Sequence, residues 1–246
     1  MERVDRPSVA TFLAPGPLVA GGAVRLGEDV AHHMRVRRLA EGERIALLDG
    51  AGSVAAATLR QLAKRYADAE VTGVERRARP PAVRLLVPVA DRDRTLWLAE
   101  KATELGLERW QPVVWRRSRS VSSKGEGTAF EAKVRARMAA ALVQCEGAWL
   151  PSLAPPITLD DIVLADGPGP RLLLDADGEP LSRLRLAPPV TIALGPEGGV
   201  ERDERDRLVA AGFRPAALPG NILRFETAGV VALALTLAAL YTPGGA

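Results

Sequence analysis

A chain of 246 residues, 47% of them hydrophobic and 26% charged, holds enough apolar side chain for one large core or two modest ones, which excludes a disordered polyelectrolyte. Its longest apolar run, residues 228–240, falls short of the roughly 20 residues that a membrane span needs, and residues 1–15 are charged where a leader would be apolar, so no membrane segment and a cytoplasmic location are expected. A single cysteine, Cys145, with only His32 and His33 beside it, excludes an intramolecular disulfide and a zinc-type ligand set, and no metal is expected.

Charge is distributed unevenly. The first 150 residues hold 25 Lys and Arg against 18 Asp and Glu, and the remainder 8 against 12. This asymmetry suggests a polyanion meeting the first part of the chain.

Short β-type runs come first, at residues 23–26, 44–48, 53–59 and 67–74, and Asp49-Gly50-Ala51-Gly52 supplies hairpin chemistry between two of them. Together they predict a small barrel. A helical piece over residues 28–39 interrupts them, carrying Arg35, Arg37 and Arg38 near His32 and His33, with Gly42 closing the segment. The stretch from Arg76 to Pro81 reads as a linker, because Pro-Pro ends regular structure. The domains expected are therefore 1–78 and 82–246.

Beyond the linker, near-continuous apolar runs at residues 83–89, 111–115, 171–174, 190–194 and 216–218 alternate with helices, the pattern of a parallel sheet covered on both faces. The helices are expected at residues 95–105, from Thr128 with Glu131 as a capping box, at 201–211, and at 227–240. The last is so uniformly apolar that it belongs in the core or at a subunit interface. Glu201, at the head of its helix, is a poor N-cap residue.

Two loops stand at strand ends. Leu194-Gly195-Pro196-Glu197-Gly198-Gly199 lies between an apolar strand and a charged helix, where glycines let the backbone approach a ligand and the helix N-terminus offers unpaired N–H groups. It lacks the Gly-Lys-Ser/Thr ending of a Walker loop and the spaced glycines of a dinucleotide fingerprint, which disfavours nucleotide triphosphate chemistry. Leu218-Pro219-Gly220-Asn221-Ile222-Leu223-Arg224-Phe225-Glu226-Thr227-Ala228 repeats the logic, with Arg and Glu just before the final helix. Two such loops at carboxyl ends of strands in one sheet are where open α/β folds bind ligands.

These loops resemble the two signature loops of the RsmE family, the ribosomal RNA small subunit methyltransferases of the SPOUT class, which methylate N3 of a uridine in 16S ribosomal RNA. Glu100-Lys101-Ala102-Thr103-Glu104-Leu105-Gly106 resembles that family's E-K-x-x-E-L-G helix, and His32-His33-Met34-Arg35-Val36 with Gly42 resembles its N-terminal element. The resemblance implies an α/β fold: a SPOUT domain with a mostly parallel, trefoil-knotted sheet, preceded by a PUA-like β-barrel that holds RNA. It implies S-adenosylmethionine as cofactor, held by Leu194, Gly195, Pro196, Glu197, Gly198 and Gly199, by Leu218, Gly220, Asn221, Ile222 and Leu223 with Thr227 and Ala228, and by the strand end at Leu174 and Asp175. It also implies 16S ribosomal RNA or the small ribosomal subunit as partner, and a homodimer. For catalysis, Arg224 is expected to face the uridine O2 or O4, with Glu197 or Glu226 accepting the N3 proton; an Arg224–Glu226 salt bridge is the structural alternative. Arg35, Arg37 and Arg38, and the basic loop Arg116, Arg117 and Arg119 with Lys124 nearby, are expected to grip phosphates. The rival readings are a 2′-O-ribose methyltransferase and a non-catalytic RNA-binding or ribosome-assembly protein of the same fold.

Overall fold

The computed structural model describes residues 10–120, 127–165 and 167–241, at 119 and 120 for the backbone alone. The chain gathers into two compact units. One runs to Arg79 and also takes in Ala139–Leu150; the other holds Pro80–Met138 and the chain from Pro151 on.

The first unit contains β1 (Thr11–Leu13), β2 (Ala23–Leu26), α1 (Glu28–Val36), β3 (Arg44–Leu48), β4 (Ser53–Leu62) and β5 (Ala67–Arg76). The expected barrel is a curled five-stranded sheet in the order β1-β3-β4-β5-β2. Its core gathers Phe12, Leu26, Met34, Ile45, Leu47, Leu59 and Val71. The β3–β4 hairpin forms where the turn chemistry predicts it: the Asp49 carboxylate accepts from the Ala51 and Ser53 N–H groups at 2.8 Å each, and Gly50 and Gly52 take φ of 68° and 104°. α1 is shorter than expected. Arg37 caps it, and Arg38 turns the chain with a φ of 57°, so two of the three arginines stand on the turn after the helix. Ala139–Leu150 joins this unit in part because the Trp149 indole N–H donates to the carbonyls of Arg77 and Ala78 at 3.2 Å.

The second unit contains β6 (Val83–Pro88), α2 (Arg92–Leu105), β7 (Arg109–Val114), α3 (Thr128–Gln144, which ends in the first unit), β8 (Ser152–Leu153), β9 (Ile157–Thr158), α4 (Leu159–Leu164), β10 (Arg171–Pro180), β11 (Val190–Ala193), α5 (Arg202–Ala210), β12 (Arg214–Ala217) and α6 (Phe225–Tyr241). All its strand pairings are parallel, in the order β12-β10-β11-β6-β7-β8, with β9 also on β7. Successive residues Leu85, Leu86 and Val87 are buried, which requires cover on both faces of the sheet. Leu86, Trp115, Leu173 and Ala193 pack with Leu159 and Ile162 of α4 and Leu208 of α5. α6 returns across the unit to pack on α2 and β6. No helix among the described residues is long and apolar enough to cross a membrane.

α2 begins three residues earlier than the apolar pattern suggests, because the Asp91 side chain caps it by accepting from the Arg94 N–H at 3.0 Å. Thr128 is the first residue of α3 and not its cap; the Gly127 carbonyl accepts from Phe130 and Glu131, and Glu131 pairs with Arg135. Lys101 lies between Glu100 and Glu104 at 2.8 and 2.7 Å, and Arg137 of α3 also reaches Glu100 at 3.1 Å.

β10 runs past the expected end at Leu174. Its pairing with β12 breaks after Leu174 and resumes at Glu179, so residues 175–178 bulge out of the ladder. Gly178 closes the bulge against its neighbour strand, where an added Cβ would lie 2.5 Å from the Ala216 nitrogen and from the Pro215 carbonyl carbon. Backbone cannot yield as a side chain does. Gly178→Ala is expected to cost about 1–3 kcal/mol through overpacking and to lower Tm by roughly 3–10 °C at the scaling for a chain of this size. Calorimetry checks this, and an unchanged Tm would show that the strands part freely here.

Candidate active site

The bulge in β10 and the loops that follow β11 and β12 meet around one cavity of about 800 Å³. From the first signature loop it is lined by Leu194, Gly195, Pro196, Glu197 and Gly199; from the second by Leu218, Gly220, Asn221, Ile222, Leu223, Arg224 and Ala228; and from the β10 bulge by Leu174, Asp175, Ala176 and Asp177. Of the expected cofactor residues, only Gly198 and Thr227 do not line it, and of the expected catalytic residues only Glu226 does not. A second, apolar cavity of about 260 Å³ near Val87, Trp110 and Phe130 offers one titratable group, Glu131.

The first loop is built on a turn in which Gly199 N–H donates to the Pro196 carbonyl at 2.8 Å, with Gly199 at φ 73°, a conformation that a side chain disfavours. Trp115 at the end of β7 donates its indole N–H to the Leu194 carbonyl at 3.0 Å. Arg117 donates to the Gly198 carbonyl and lies 3.6 Å from Glu201. Arg116 is held by Glu201 and by Asp203, and these partners raise its pKa further above its ordinary value. Both arginines expected to grip phosphate are thus engaged with the loop and the head of α5, while the Arg119 side chain and Lys124 lie outside the described residues. Glu201 serves as N-cap better than its residue type suggests: its own N–H is met by Glu204 at 3.1 Å, and Glu204, nearly fully buried, also accepts from the Arg116 N–H at 2.9 Å.

Asp175 accepts from Arg205 at 2.5 Å and from the Asp177 N–H at 3.0 Å. Burial opposes its ionisation, but the hydrogen bonds from Arg205 and Asp177 and the Arg205 charge together hold its carboxyl below the usual range.

Sequence reasoning missed Arg94. From the first turn of α2 it forms an ion pair with Glu197 and lies 3.8 Å from Glu226, so one guanidinium joins both expected carboxylates. Glu226 is 8% exposed, and its Oε2 is buried without a hydrogen-bond partner among the described residues. The alternative Arg224–Glu226 salt bridge is not formed; Arg224 is exposed, lines the cavity and makes no ion pair among the described residues. Nothing in Asp91-Arg92-Asp93-Arg94 singles out Arg94, because its partners stand far along the chain.

Arg35, Arg37 and Arg38 lie in the first unit, all exposed; Arg35 shares a shallow depression with Glu28, Asp29, His32, His33 and Val36. Among the described residues no group of three His, Cys, Asp or Glu side chains is placed to hold a metal ion.

A cavity of this size suits a small-molecule cofactor. Its walls combine guanidinium groups of Arg94, Arg202, Arg205 and Arg224 with the carboxylates of Asp175, Asp177 and Glu197. That donor set fits S-adenosylmethionine, which carries cationic sulfonium and ammonium centres and a carboxylate.

Fold and site together define an RNA methyltransferase of the SPOUT class. The family model described as an RNA methyltransferase domain matches residues 77–237, and one described as an RNA methyltransferase PUA domain matches residues 26–72. The ribosomal RNA small subunit methyltransferase E of a Synechocystis strain is 30% identical over 230 residues, covering 90% of this chain and 75% of that one. Its namesake in Mycobacterium bovis is 29% identical, covering 86% and 85%. Among solved structures, a methyltransferase of Legionella pneumophila in complex with S-adenosylmethionine superposes with a TM-score of 0.87 at 25% identity, covering 95% of this chain and 98% of that one. The small subunit methyltransferase E of Neisseria gonorrhoeae bound to S-adenosylmethionine gives 0.83 at 26% identity, covering 94% and 98%. This chain belongs to the ribosomal RNA small subunit methyltransferase E family.

Proposed function

We infer that this chain is an S-adenosylmethionine-dependent ribosomal RNA methyltransferase, and that its target is N3 of a uridine in the 16S ribosomal RNA of the small subunit. The observation that carries the reading is the convergence of both signature loops on one cavity, with Arg224 and Glu197 on its wall. A ribosomal substrate also places the chain in the cytoplasm.

Leu174, the loop from Leu194 to Gly199 and the loop from Leu218 to Leu223 would hold the cofactor. S-adenosylmethionine, when bound, supplies an electrophilic methyl carbon on a sulfonium leaving group. What remains for the protein is positioning and charge. The imide N3–H of uridine must lose its proton, and charge then spreads onto O2 and O4. Arg224, exposed and in no ion pair among the described residues, has its guanidinium free to face those oxygens, and Glu197 or Glu226 takes the proton directly or through water.

Two further elements belong to this reading. The exposed Arg35, Arg37 and Arg38 of the first unit grip RNA phosphates. On α6, Val231 and Leu235 are partly exposed and Ala238 is exposed, a stripe at helical spacing that supports a homodimer.

Methylation of 16S ribosomal RNA or small subunits, followed by nucleoside analysis, is expected to yield N3-methyluridine; a 2′-O-methylated nucleoside would overturn the target, and no cofactor binding by calorimetry would overturn the enzyme. In that assay Arg224→Ala should lower the single-turnover rate by roughly a hundredfold, the scale of one lost oxyanion donor, with cofactor affinity little changed. Weaker cofactor binding with near-normal turnover would instead make Arg224 a loop clasp. RNA affinity should fall steeply with salt as counterions are released, and replacing Arg35, Arg37 and Arg38 together should flatten that slope; an unchanged slope removes them from the RNA grip. Light scattering should give a mass near twice the 26.1 kDa of one chain, and a monomer would refute the dimer.

A further inference from the structure

We propose that Glu226, Arg94 and Glu197 form a relay of position, in which buried Glu226 fixes the Arg94 guanidinium and Arg94 in turn presents Glu197 to the cavity as the group that takes the imide proton. The inference rests on the methyltransferase reading above and decides between its two candidate proton acceptors.

Burial separates the two carboxylates. Glu197 lines the cavity and its side chain is 36% exposed, whereas Glu226 does not line the cavity and its side chain is 11% exposed. Arg94 stands between them: in direct ion contact with Glu197, at 3.8 Å from Glu226 Oε1, and itself a wall residue. Asp91 caps α2 on the Arg94 N–H, which fixes the Arg94 backbone in the first turn of the helix. Among the described residues Arg94 is the only cation paired with Glu226, whose second oxygen is buried and unpartnered. A buried carboxylate off the cavity wall, with one cationic neighbour among the described residues, serves that neighbour. A carboxylate on the wall, aimed by a guanidinium, is placed to meet substrate. In the proton step the N3–H bond breaks, its electron pair stays on nitrogen, and the proton forms an O–H bond on the Glu197 carboxylate. Neither Glu226 nor Arg94 takes the proton: Arg94 holds the base through its ion pair, Glu226 holds Arg94, and both are positioning residues.

Charge gives the arrangement opposite signatures at its two ends. Arg94 pairs with Glu197, Arg117 bonds the carbonyl of the adjacent Gly198, the cavity wall adds Arg202, Arg205, Arg224, Asp175 and Asp177, and Glu226 lies on the other side of Arg94. Removing the Arg94 cation makes the Glu197 proton harder to lose; removing the Glu226 anion leaves Arg94 wholly to Glu197 and makes it easier.

The test is a 13C titration of labelled glutamate carboxyls in the full, cofactor-free chain, joined to the pH profile of single-turnover methylation. In Arg94→Gln the Glu197 midpoint and the acidic limb of the rate should both move up by about one pH unit, the low end for loss of a neighbouring opposite charge, and the rate should fall roughly tenfold or more from lost positioning. Arg94→Lys should restore the midpoint but only part of the rate, since it returns charge without the planar contact. Glu226→Gln, close in shape, should move the midpoint and the limb down while the limb persists. Should Glu226→Gln abolish the acidic limb, Glu226 is itself the proton acceptor and the proposal falls; it falls equally if neither variant moves the Glu197 midpoint. Wild-type chain that methylates no RNA would sink the functional reading alone, because the carboxyl titration still decides the relay.

Discussion

Everything at the site depends on three adjacent strands running parallel. β10, β11 and β12 lie near one another in the order β12-β10-β11, so their carboxyl ends fall on one edge and the loops that leave them must share a space. Antiparallel neighbours would send alternate loops to opposite edges. Apolar strands such as β6 need helical cover on both faces, and α5 between β11 and β12 returns the chain to its starting edge. The bulge in β10 then adds a wall that an unbroken ladder would have withheld, turning residues 175–177 toward the cavity while Glu179 and Pro180 resume their pairing with Ala216 and Ala217.

Loops at strand ends are ordinarily mobile. Here arginines hold them, Arg94 and Arg205 from the cavity wall and Arg116 and Arg117 from behind it. Arg117 clasps the Gly198 carbonyl, Arg116 holds Glu201 and Asp203 just beyond it, Arg205 holds Asp175, and Arg94 joins the first loop toward the start of α6. Each pair is partly exposed and adds little to stability by itself. Their effect is on geometry: a loop already ordered loses less freedom when a ligand arrives.

How much of this the sequence disclosed follows from the range of each signal. The five long strands of the catalytic sheet and the two glycine loops are written in consecutive residues, and they were legible. β1, β8 and β9, at two or three residues each, are too short for any alternation to show. The extension of β10 was hidden because Asp175-Ala176-Asp177-Gly178 has turn composition, and only the neighbouring strand reveals that pairing continues. Arg94 was hidden for a like reason: its partners lie 103 and 132 residues further on, and a charged helix start looks solvated until the fold closes. α1 ends early, at Val36, because Arg38 adopts a left-handed turn, which arginine composition does not announce. The SPOUT class itself came from recognising motifs and from no periodicity.

Partner by partner, the charge asymmetry of the sequence has a different meaning from its raw count. Within the last 96 residues Asp160 pairs with Arg207, Asp175 with Arg205 and Glu179 with Arg214, and the acidic excess is met from the first part of the chain, by Arg116 on Glu201 and Asp203 and by Arg94 on Glu197 and Glu226. Arg116 belongs to the basic part of the chain, yet it is bound to carboxylates of the acidic part. A guanidinium so paired must give up two carboxylates before it can take a phosphate, and the exchange yields little. Arg35, Arg37 and Arg38 make no ion pair among the described residues, so each can neutralise a phosphate at no such cost. On the proposed reading, cations with no ion pair among the described residues, such as Arg35, Arg37 and Arg38, carry the attraction for RNA, which net charge, counting paired and unpaired residues alike, does not reveal.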